Sequence, residues 1–340
     1  MDVSADHPDG ANGPWVVQRA LRLTGERSWA RIGWAVLVAG AALLALFGAT
    51  TTQLGTLRIA SGVLMYVVLT QGWNVLGGYG GYLNFGMAMF FGIGAYSAAI
   101  ISNKSGMSPL YTVVFAGGVA AIVAVVLGVP SLRLRGAYFA IVTFVLTLAV
   151  QQLASTIGIT NGALGMYLKP PRLSARAGEE LFFFIYFGLA IVLTIVVRAI
   201  GRSRFGSALV AIREDEDAAE VLGIATTRVK TTGFVIGAFV AGVVGCVYAS
   251  QLYYIEPVST FNFTLSLNVV VAAIVGGSGT WIGPVLGAGA TEMLSQELLV
   301  HTQGVYGNLC LGALLVVFAL AIPRGIVGLV RFKRGARPTL

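Results

Sequence analysis

The stretch RAIGRSRFGSALVAIREDEDAAEVLGIATTRVK, residues 198–230, differs from the sequence on either side of it. It holds eleven charged residues, in a chain that has only 22 Lys and Arg and 14 Asp and Glu. The flanking segments are apolar and rich in Gly and Ala. We therefore predict a loop that lies in water between two membrane-spanning helices, where another protein can bind it.

The composition of the whole chain is that of a membrane protein. Of its 340 residues, 56% are hydrophobic and 11% are charged, and the mean hydropathy is +0.83. Soluble domains carry roughly 25% charged residues. Several uncharged runs reach the ~18 residues that a helix needs to cross a bilayer, and they lack the alternation of a β-barrel. The sequence predicts an all-α polytopic membrane protein.

The net charge of +8 has two explanations, of which a membrane topology is the better. In a soluble protein it would suggest a nucleic-acid partner; here we expect basic loops kept on the cytoplasmic side and no nucleic acid. Cys246 and Cys310 both fall in apolar spans, which favours buried thiols. His7 and His301 are far apart, so we expect no metal site.

The charge distribution orients the predicted spans. An even number of spans puts both termini on one side of the membrane. With both termini inside, 17 of the 22 Lys and Arg residues fall in cytoplasmic segments, as the positive-inside rule requires. We expect a cytoplasmic tail at 1–30, a transmembrane domain at 31–323 and a basic cytoplasmic tail at 324–340. The ten predicted spans are 31–50, 57–76, 84–101, 110–130, 136–157, 181–200, 229–251, 265–281, 284–300 and 306–323.

Two glycine-rich breaks interrupt apolar runs, one in each half of the chain. They are GGYGGYLNFG at 77–86 and GGSGTWIGP at 276–284. Matched breaks predict discontinuous helices, an internal repeat and a substrate pathway, whereas the alternative is a pair of tight turns at the cytoplasmic face. For Phe90, a place in the helical core competes with a role in the pathway. The candidate pathway residues are Tyr82, Asn84, Gly86, Met87, Phe90, Gly276, Gly277 and Gly279.

Several polar residues fall inside predicted spans. Polar groups are costly in lipid, so we expect them to face the interior of the helix bundle. Hydrogen bonding between helices is their more ordinary role, and lining a pore is the alternative. These residues are Asn74, Asn84, Gln151, Gln152, Asn268 and Glu292.

Within 198–230 the pattern predicts two short helices joined by an acidic turn. The first extends from about Gly206 to Ile212, and the second covers Ala218–Leu222. The acidic residues between them suit the positive end of a helix dipole, and Gly223 suits a left-handed helix stop. Such a pair would form a rigid knob that can transmit force. The alternative is a solvated hairpin.

The second short helix carries a family resemblance. The run Asp217-Ala218-Ala219-x-x-x-Gly223 resembles the EAA loop of ABC importer permeases, with Asp in place of the leading Glu. The longer run GSALVAIREDEDAAEVLGI resembles the branched-chain amino acid permease family, LivM type. Further stretches resemble the same family in the same order, namely GYLNFGMAMFFGIGAY (81–96), LRLRGAYFAIVTF (132–144), TNGALGM (160–166) and VVVAAIVGGSGTWIGPVLGA (269–288).

The resemblance implies a subunit of an import complex in the bacterial inner membrane. The implied partners are a second permease, either LivH-like or a second copy, two cytoplasmic ATP-binding subunits and an extracytoplasmic substrate-binding protein. This sequence contains no G-x-x-x-x-G-K-[ST] motif, so ATP and Mg²⁺ are expected in the partner ATPase and no enzyme activity is expected here. By resemblance, the coupling residues are Arg213, Glu214, Asp217, Ala218, Ala219 and Gly223.

One position departs from the family pattern. Met87 stands where the family usually has a His after the motif LNFG. A thioether is a weak acceptor only, so the change indicates either a substrate that is less polar or differently charged than a branched-chain amino acid, or a packing exchange. We expect a pore for branched-chain amino acids or a related small carboxylate or amide. The alternative is a secondary transporter or channel that works alone, although the spans hold few of the acids expected of a proton relay.

Overall fold

The computed structural model describes residues 53–169 and 173–301, together with the isolated positions 48 and 326. Apart from position 48, the predicted span 31–50 lies outside the described residues, as does the whole of 306–323. The N-terminal tail and, apart from position 326, the C-terminal tail lie outside them as well.

The described chain is helical almost throughout. The long helices are α1 (Leu54–Asn74), α2 (Met87–Ser105), α3 (Val113–Ser131), α4 (Ala137–Thr156), α5 (Ala175–Gly201), α8 (Thr226–Leu252), α10 (Phe263–Gly276) and α11 (Gly283–His301). The shorter ones are α6 (Arg204–Glu214), α7 (Glu216–Val221) and α9 (Pro257–Thr260). Two two-residue strands, β1 (Met166–Tyr167) and β2 (Tyr254–Ile255), pair antiparallel.

Within the described residues, six helical segments are long and apolar enough to cross a membrane. The prediction of a multi-pass, all-α membrane protein is therefore confirmed. The predicted spans 84–101 and 284–300 correspond to α2 and α11, which are not among the six, so the count of ten stays a prediction. The six segments are Leu54–Tyr79, Pro109–Ser131, Ala137–Thr156, Ala175–Gly201, Thr226–Leu252 and Pro257–Gly276.

Helix α8 forms the centre of the bundle, where α1, α2 and α3 pack against it. The contact with α2 requires glycine on both sides. A Cβ at Gly245 would lie 2.0 Å from the backbone oxygen of Phe91, and one at Gly94 would lie 2.1 Å from that of Gly242. Small residues let helix backbones approach closely in lipid. The glycine content of the chain is thus a packing requirement at this crossing.

The bundle has two distinct ends. The charged end carries α6, α7 and the first turns of α8. It also holds the π-helical turn that follows α1, Val75–Tyr79, because Arg213 donates to the backbone oxygen of Gly78 (3.3 Å). The opposite end carries the first turn of α1, the start of α5 and the strand pair. Helix α1 therefore leads from the opposite end to the charged end.

The polar residues predicted to face the bundle interior fall into two groups. Asn74, Asn84 and Glu292 are buried, as predicted, and Glu292 accepts a hydrogen bond from Gln296 (2.8 Å). Gln152 is exposed in this single chain, so the prediction is wrong there. It lies on the outward face of α4, four residues before the helix ends. Gln151 and Asn268 are half-buried.

Candidate coupling site at the charged end

The charged stretch folds into two short helices, α6 and α7, with defined ends. Ser203 caps α6 by accepting a hydrogen bond from the backbone N–H of Gly206 (3.2 Å). Asp215 does the same for α7 through Ala218 (3.0 Å). These caps satisfy N–H groups that have no partner inside the helix. Gly223 adopts the left-handed conformation, with φ of +85°, where the second helix was predicted to stop.

An apolar face holds the two helices against the bundle. Leu209 and Ile212 of α6 and Ala219 of α7 are all buried within the hydrophobic core. The side chain of Ala219 therefore faces the core of this chain, although resemblance assigns it to the ATPase contact.

Two charged residues of 198–230 differ from the expectation that the stretch lies in water. Arg198 lies in α5, is 6% exposed and places its guanidinium 4.4 Å from the ring centre of Trp281. Lys230 lies in α8 and is 3% exposed. Because α5 continues to Gly201 and α8 begins at Thr226, the connecting segment is shorter than the charge pattern suggests.

Lys230 is the centre of a buried ion-pair network. Its Nζ lies 2.5 Å from Oε1 of Glu216, the first residue of α7. The ammonium also donates to the backbone oxygen of Leu132 (3.0 Å) and to the hydroxyl of Tyr82 (3.1 Å). The Tyr82 hydroxyl in turn donates to Oε2 of Glu216. The network thus joins α7 to α8, to the first glycine break and to the end of α3.

Arg135, in the connection between α3 and α4, extends the network towards solvent. It donates two hydrogen bonds to the Asp217 carboxylate, at 2.7 and 3.0 Å, and its Nε lies 3.4 Å from Glu216. A bidentate pair of this kind fixes orientation as well as distance. Resemblance identified Asp217, but nothing local in the sequence identified Arg135 as its partner.

The protonation states of the network follow from its contacts. Burial raises the pKa of the Glu216 carboxyl, but hydrogen bonds from Lys230 and Tyr82 and the nearby positive charges outweigh it, so the pKa is lowered. The hydrogen bonds from Arg135 lower the pKa of Asp217. Burial, and then the hydrogen bond to Glu216, raise the pKa of Tyr82. Near neutral pH the two carboxyls are ionised and the phenol keeps its proton.

The two glycine breaks contact each other beneath α6. Asn74, in the last turn of α1, accepts a hydrogen bond from the backbone N–H of Gly279 and donates to the backbone oxygen of Thr280, both at 2.9 Å. Gly78 and Gly279 are so close that a Cβ on Gly78 would lie 2.6 Å from the backbone nitrogen of Gly279. Arg213 of α6 contacts this junction through Gly78.

The first break is shorter than the sequence indicated. Helix α1 continues as a π-helical turn, Val75–Tyr79, and Gly80 is still helical, so the unwound backbone covers only residues 81–86. The second break separates α10 from α11. Both breaks lie at the charged end of the bundle.

The eight candidate pathway residues are enclosed by protein in this chain. Seven are buried and Gly279 is half-buried. Met87 is 0% exposed and belongs to the hydrophobic core, and Phe90 packs edge-on against Phe234 at 5.2 Å between ring centres. Asn84 accepts a hydrogen bond from the backbone N–H of Gly86 (2.8 Å). Tyr82 belongs to the ion-pair network.

The exposed face of α7 and the turn after it is chemically mixed. Asp217, Ala218 and Gly223 lie on it, as do Arg213 and Glu214 of the preceding helix end. Val221 and Leu222, which were predicted to lie in the second short helix but were given no role, are 88% and 81% exposed. The feature of the sequence that could have identified them is two consecutive apolar residues at the end of a charged helix. Together the two side chains form an apolar pair on an otherwise charged surface.

The described residues define a class of protein. They form a multi-pass helical membrane protein whose short charged helices contact two glycine-rich breaks between the long helices.

The chain belongs to the branched-chain amino acid transport permease family. The model of that family, described as "Branched-chain amino acid transport system / permease component", matches residues 55–319. The chain is 33% identical to the high-affinity branched-chain amino acid transport permease LivM of Salmonella typhimurium and to that of Escherichia coli. Each match covers 82% of this chain and 71% of the relative. It is 34% identical to LivH of Salmonella typhimurium over 44% of this chain and 47% of that protein. No solved structure matches the chain.

Proposed function

We propose that this chain forms half of the translocation pore of an ATP-driven importer in the bacterial inner membrane. Its substrates would be branched-chain amino acids or related small carboxylates or amides. A LivH-like subunit or a second copy would complete the pore, and two ATP-binding subunits would bind ATP and Mg²⁺. An extracytoplasmic binding protein would deliver the substrate. Both termini and the charged end would face the cytoplasm.

The observation that carries the proposal is the combination of a firm attachment and an exposed contact face on α7. The buried pair of Lys230 and Glu216 fixes the start of the helix to the bundle. The end of the helix presents Val221 and Leu222 to solvent. A helix held in this way moves with the bundle when a partner pushes on it. Residues Arg213, Glu214, Asp217, Ala218 and Gly223 would lie at or beside that contact.

The same contacts supply a route from the ATPase to the pore. Arg213 bonds to Gly78 in the first break, and that break contacts the second through Asn74. A displacement of α6 and α7 would therefore reach both breaks without passing through solvent. We propose that the helices then tilt as rigid bodies, which is a common form of transport motion.

The buried position of Met87 supports the packing explanation for its departure from the family pattern. A thioether in a core site contributes van der Waals contacts and needs no hydrogen-bond partner. The substrate class therefore need not differ from that of the relatives on account of this residue.

Co-purification tests the proposal. The intact chain would be co-expressed with a second permease and ATP-binding subunits encoded beside its gene, and the ATPase retained on the purified chain would be measured. We expect Leu222→Asp to lose the ATPase. The matched control is Leu164→Asp, a residue 76% exposed at the opposite end, which should retain it.

Two results would contradict the proposal. One is an intact chain that retains no ATPase under any condition. The other is solute uptake by this chain alone in ATP-free liposomes, which would favour the stand-alone transporter or channel.

A further inference from the structure

An open cavity of about 460 Å³ lies at the opposite end of the bundle, between the first turn of α1, the start of α5 and the end of α8. Sites for small molecules usually enclose about 300–1,000 Å³, so the cavity can hold a solute of amino-acid size. The lining side chains that the argument uses are Leu54, Arg58, Leu173, Glu179, Gln251 and Tyr253.

The cavity contains one positive and one negative side chain, joined to each other. Arg58 donates to Oε1 of Glu179 from Nη2 (2.8 Å) and from Nε (3.1 Å). Gln251 donates to Oε2 of the same carboxylate (3.1 Å). The side chain of Glu179 is 14% exposed, whereas that of Arg58 is 68% exposed.

Both charges have capacity for a further partner. Within the described residues, the hydrogen bonds of Arg58 use Nε and Nη2, which leaves Nη1 with none. A carboxylate offers about four acceptor positions, and Glu179 uses three. A bound solute could therefore add a carboxylate to Arg58 and an ammonium to Glu179 without breaking the existing pair.

Tyr253 lines the same cavity in a conformation that tyrosine rarely adopts. It ends α8 with φ of +60°, where glycine is the usual residue. Its backbone oxygen accepts a hydrogen bond from Leu168 (2.8 Å). Strained backbone of this kind tends to occur where the surroundings of a binding site hold it in place.

We propose that this cavity binds an aliphatic α-amino acid as its zwitterion. The carboxylate bonds to Nη1 of Arg58 and the ammonium bonds to Glu179. The aliphatic side chain packs on Leu54 and Leu173, which line the cavity and are 43% and 49% exposed. This inference rests on the proposed function and adds the recognition chemistry to it. Because two opposite charges must be met at once, a plain carboxylate or a plain amine binds more weakly than the amino acid.

Direct binding to the permease complex tests the site. The complex of both permeases and ATPases, without the binding protein, would be placed in lipid nanodiscs and titrated with L-leucine. 4-Methylpentanoate and 3-methylbutylamine, which each lack one of the two charges, serve as probes of the charge requirement. We expect binding of L-leucine and at least tenfold weaker binding of either analogue.

Two substitutions and a matched control locate the site. Arg58→Gln and Glu179→Gln should each weaken L-leucine binding by about ten- to a hundredfold, the range expected when a hydrogen bond to a charged group is lost. Arg176→Gln is the control, because Arg176 pairs with Glu180 at the same end of the chain but outside the cavity lining. It should bind L-leucine like the unaltered complex.

The site is overturned if the unaltered complex does not bind L-leucine. It is also overturned if both cavity variants bind normally, or if Arg176→Gln weakens binding as much as they do. ATP-driven uptake by the complete importer, measured in parallel, judges the proposed function separately. Uptake that persists unchanged in both cavity variants would overturn the site alone, whereas absence of ATP-driven uptake by the unaltered importer would overturn the proposed function.

Discussion

Replacing Lys230 by Met should loosen the attachment of α7 to the bundle. The change removes the ammonium and keeps an unbranched side chain of similar length. Glu216, Tyr82 and the backbone oxygen of Leu132 each lose a hydrogen-bond donor. The Glu216 carboxylate keeps Tyr82, and Arg135 at 3.4 Å, as its partners.

The magnitude follows from the burial of the pair. The side chains of Lys230 and Glu216 are 4% and 12% exposed. Removing one partner of a buried pair costs about 3–5 kcal/mol, because the other charge is left without compensation. Arg135 still compensates part of the Glu216 charge in the variant. Because its side chain is 53% exposed, this compensation is worth only about 0.2–1 kcal/mol. We therefore expect Lys230→Met to lose about 3 kcal/mol of stability, which is the lower end of the range for a buried pair.

Hydrogen exchange measures this cost locally. If the lost stability falls on opening of α7, about 3 kcal/mol corresponds to roughly a hundredfold faster exchange of its amides. The measurement is hydrogen–deuterium exchange of peptides that cover α7 and Gly223, made on the complex in nanodiscs. Arg228→Met is the matched control, because Arg228 is an exposed basic residue one half-turn before Lys230.

Two outcomes distinguish the network from a general effect of substitution. The double variant Glu216→Met with Lys230→Met should recover part of the protection, since apolar replacement of both partners is often nearly neutral. If the α7 amides of Lys230→Met exchange as slowly as those of the unaltered protein, the ion pair does not hold α7 to the bundle. An equal effect of Arg228→Met would lead to the same conclusion.

Three further predictions concern the same helix and the bundle core. Because its folded pKa is lowered, Glu216 stabilises α7 fully above its ordinary pKa of about 4.3 and less as the pH falls through the lower folded value. The protection factor of the α7 amides, which is the exchange rate of an unstructured peptide divided by theirs at the same pH, should therefore be flat from pH 8 to 5 and fall below about pH 4. Gly223→Val should uncouple ATP hydrolysis from uptake or prevent assembly, because valine at φ of +85° carries a strain of about 1–2 kcal/mol. Gly223→Asn should preserve uptake. Normal uptake by the valine variant would contradict this prediction. Gly245→Ala should lower the midpoint temperature of thermal unfolding, because its Cβ would clash with the backbone of Phe91. Gly188→Ala is the control, because a Cβ there meets nothing within 4 Å. Equal midpoint temperatures for the two variants would contradict the close packing at Gly245.

The features that depend on neighbouring residues in the chain could be predicted from the sequence. Hydropathy predicted a helical membrane protein, and the acidic turn with Gly223 predicted two short helices at the right place. The glycine breaks were identified, but their depth was not, because hydropathy alone does not position a break within a bilayer. Contacts through Asn74 and Arg213 link them at the charged end.

The ion-pair network could not be predicted, because its members are far apart in the chain. Tyr82, Arg135, Glu216 and Lys230 come from four separate elements, and no periodicity pairs them. The charge pattern placed Lys230 in the solvated stretch, whereas hydropathy placed it at the start of the predicted span 229–251. The structure places it in α8 with Glu216 as its partner.

ATP dependence of uptake distinguishes an ATP-driven importer from a transporter that works alone. Liposomes would contain this chain with its second permease and ATP-binding subunits, and binding protein and labelled L-leucine would be added outside. Accumulation is predicted only when ATP and Mg²⁺ are enclosed, and it should be lost in Leu222→Asp. Equal uptake without ATP, or full ATP-driven uptake by Leu222→Asp, would contradict the account.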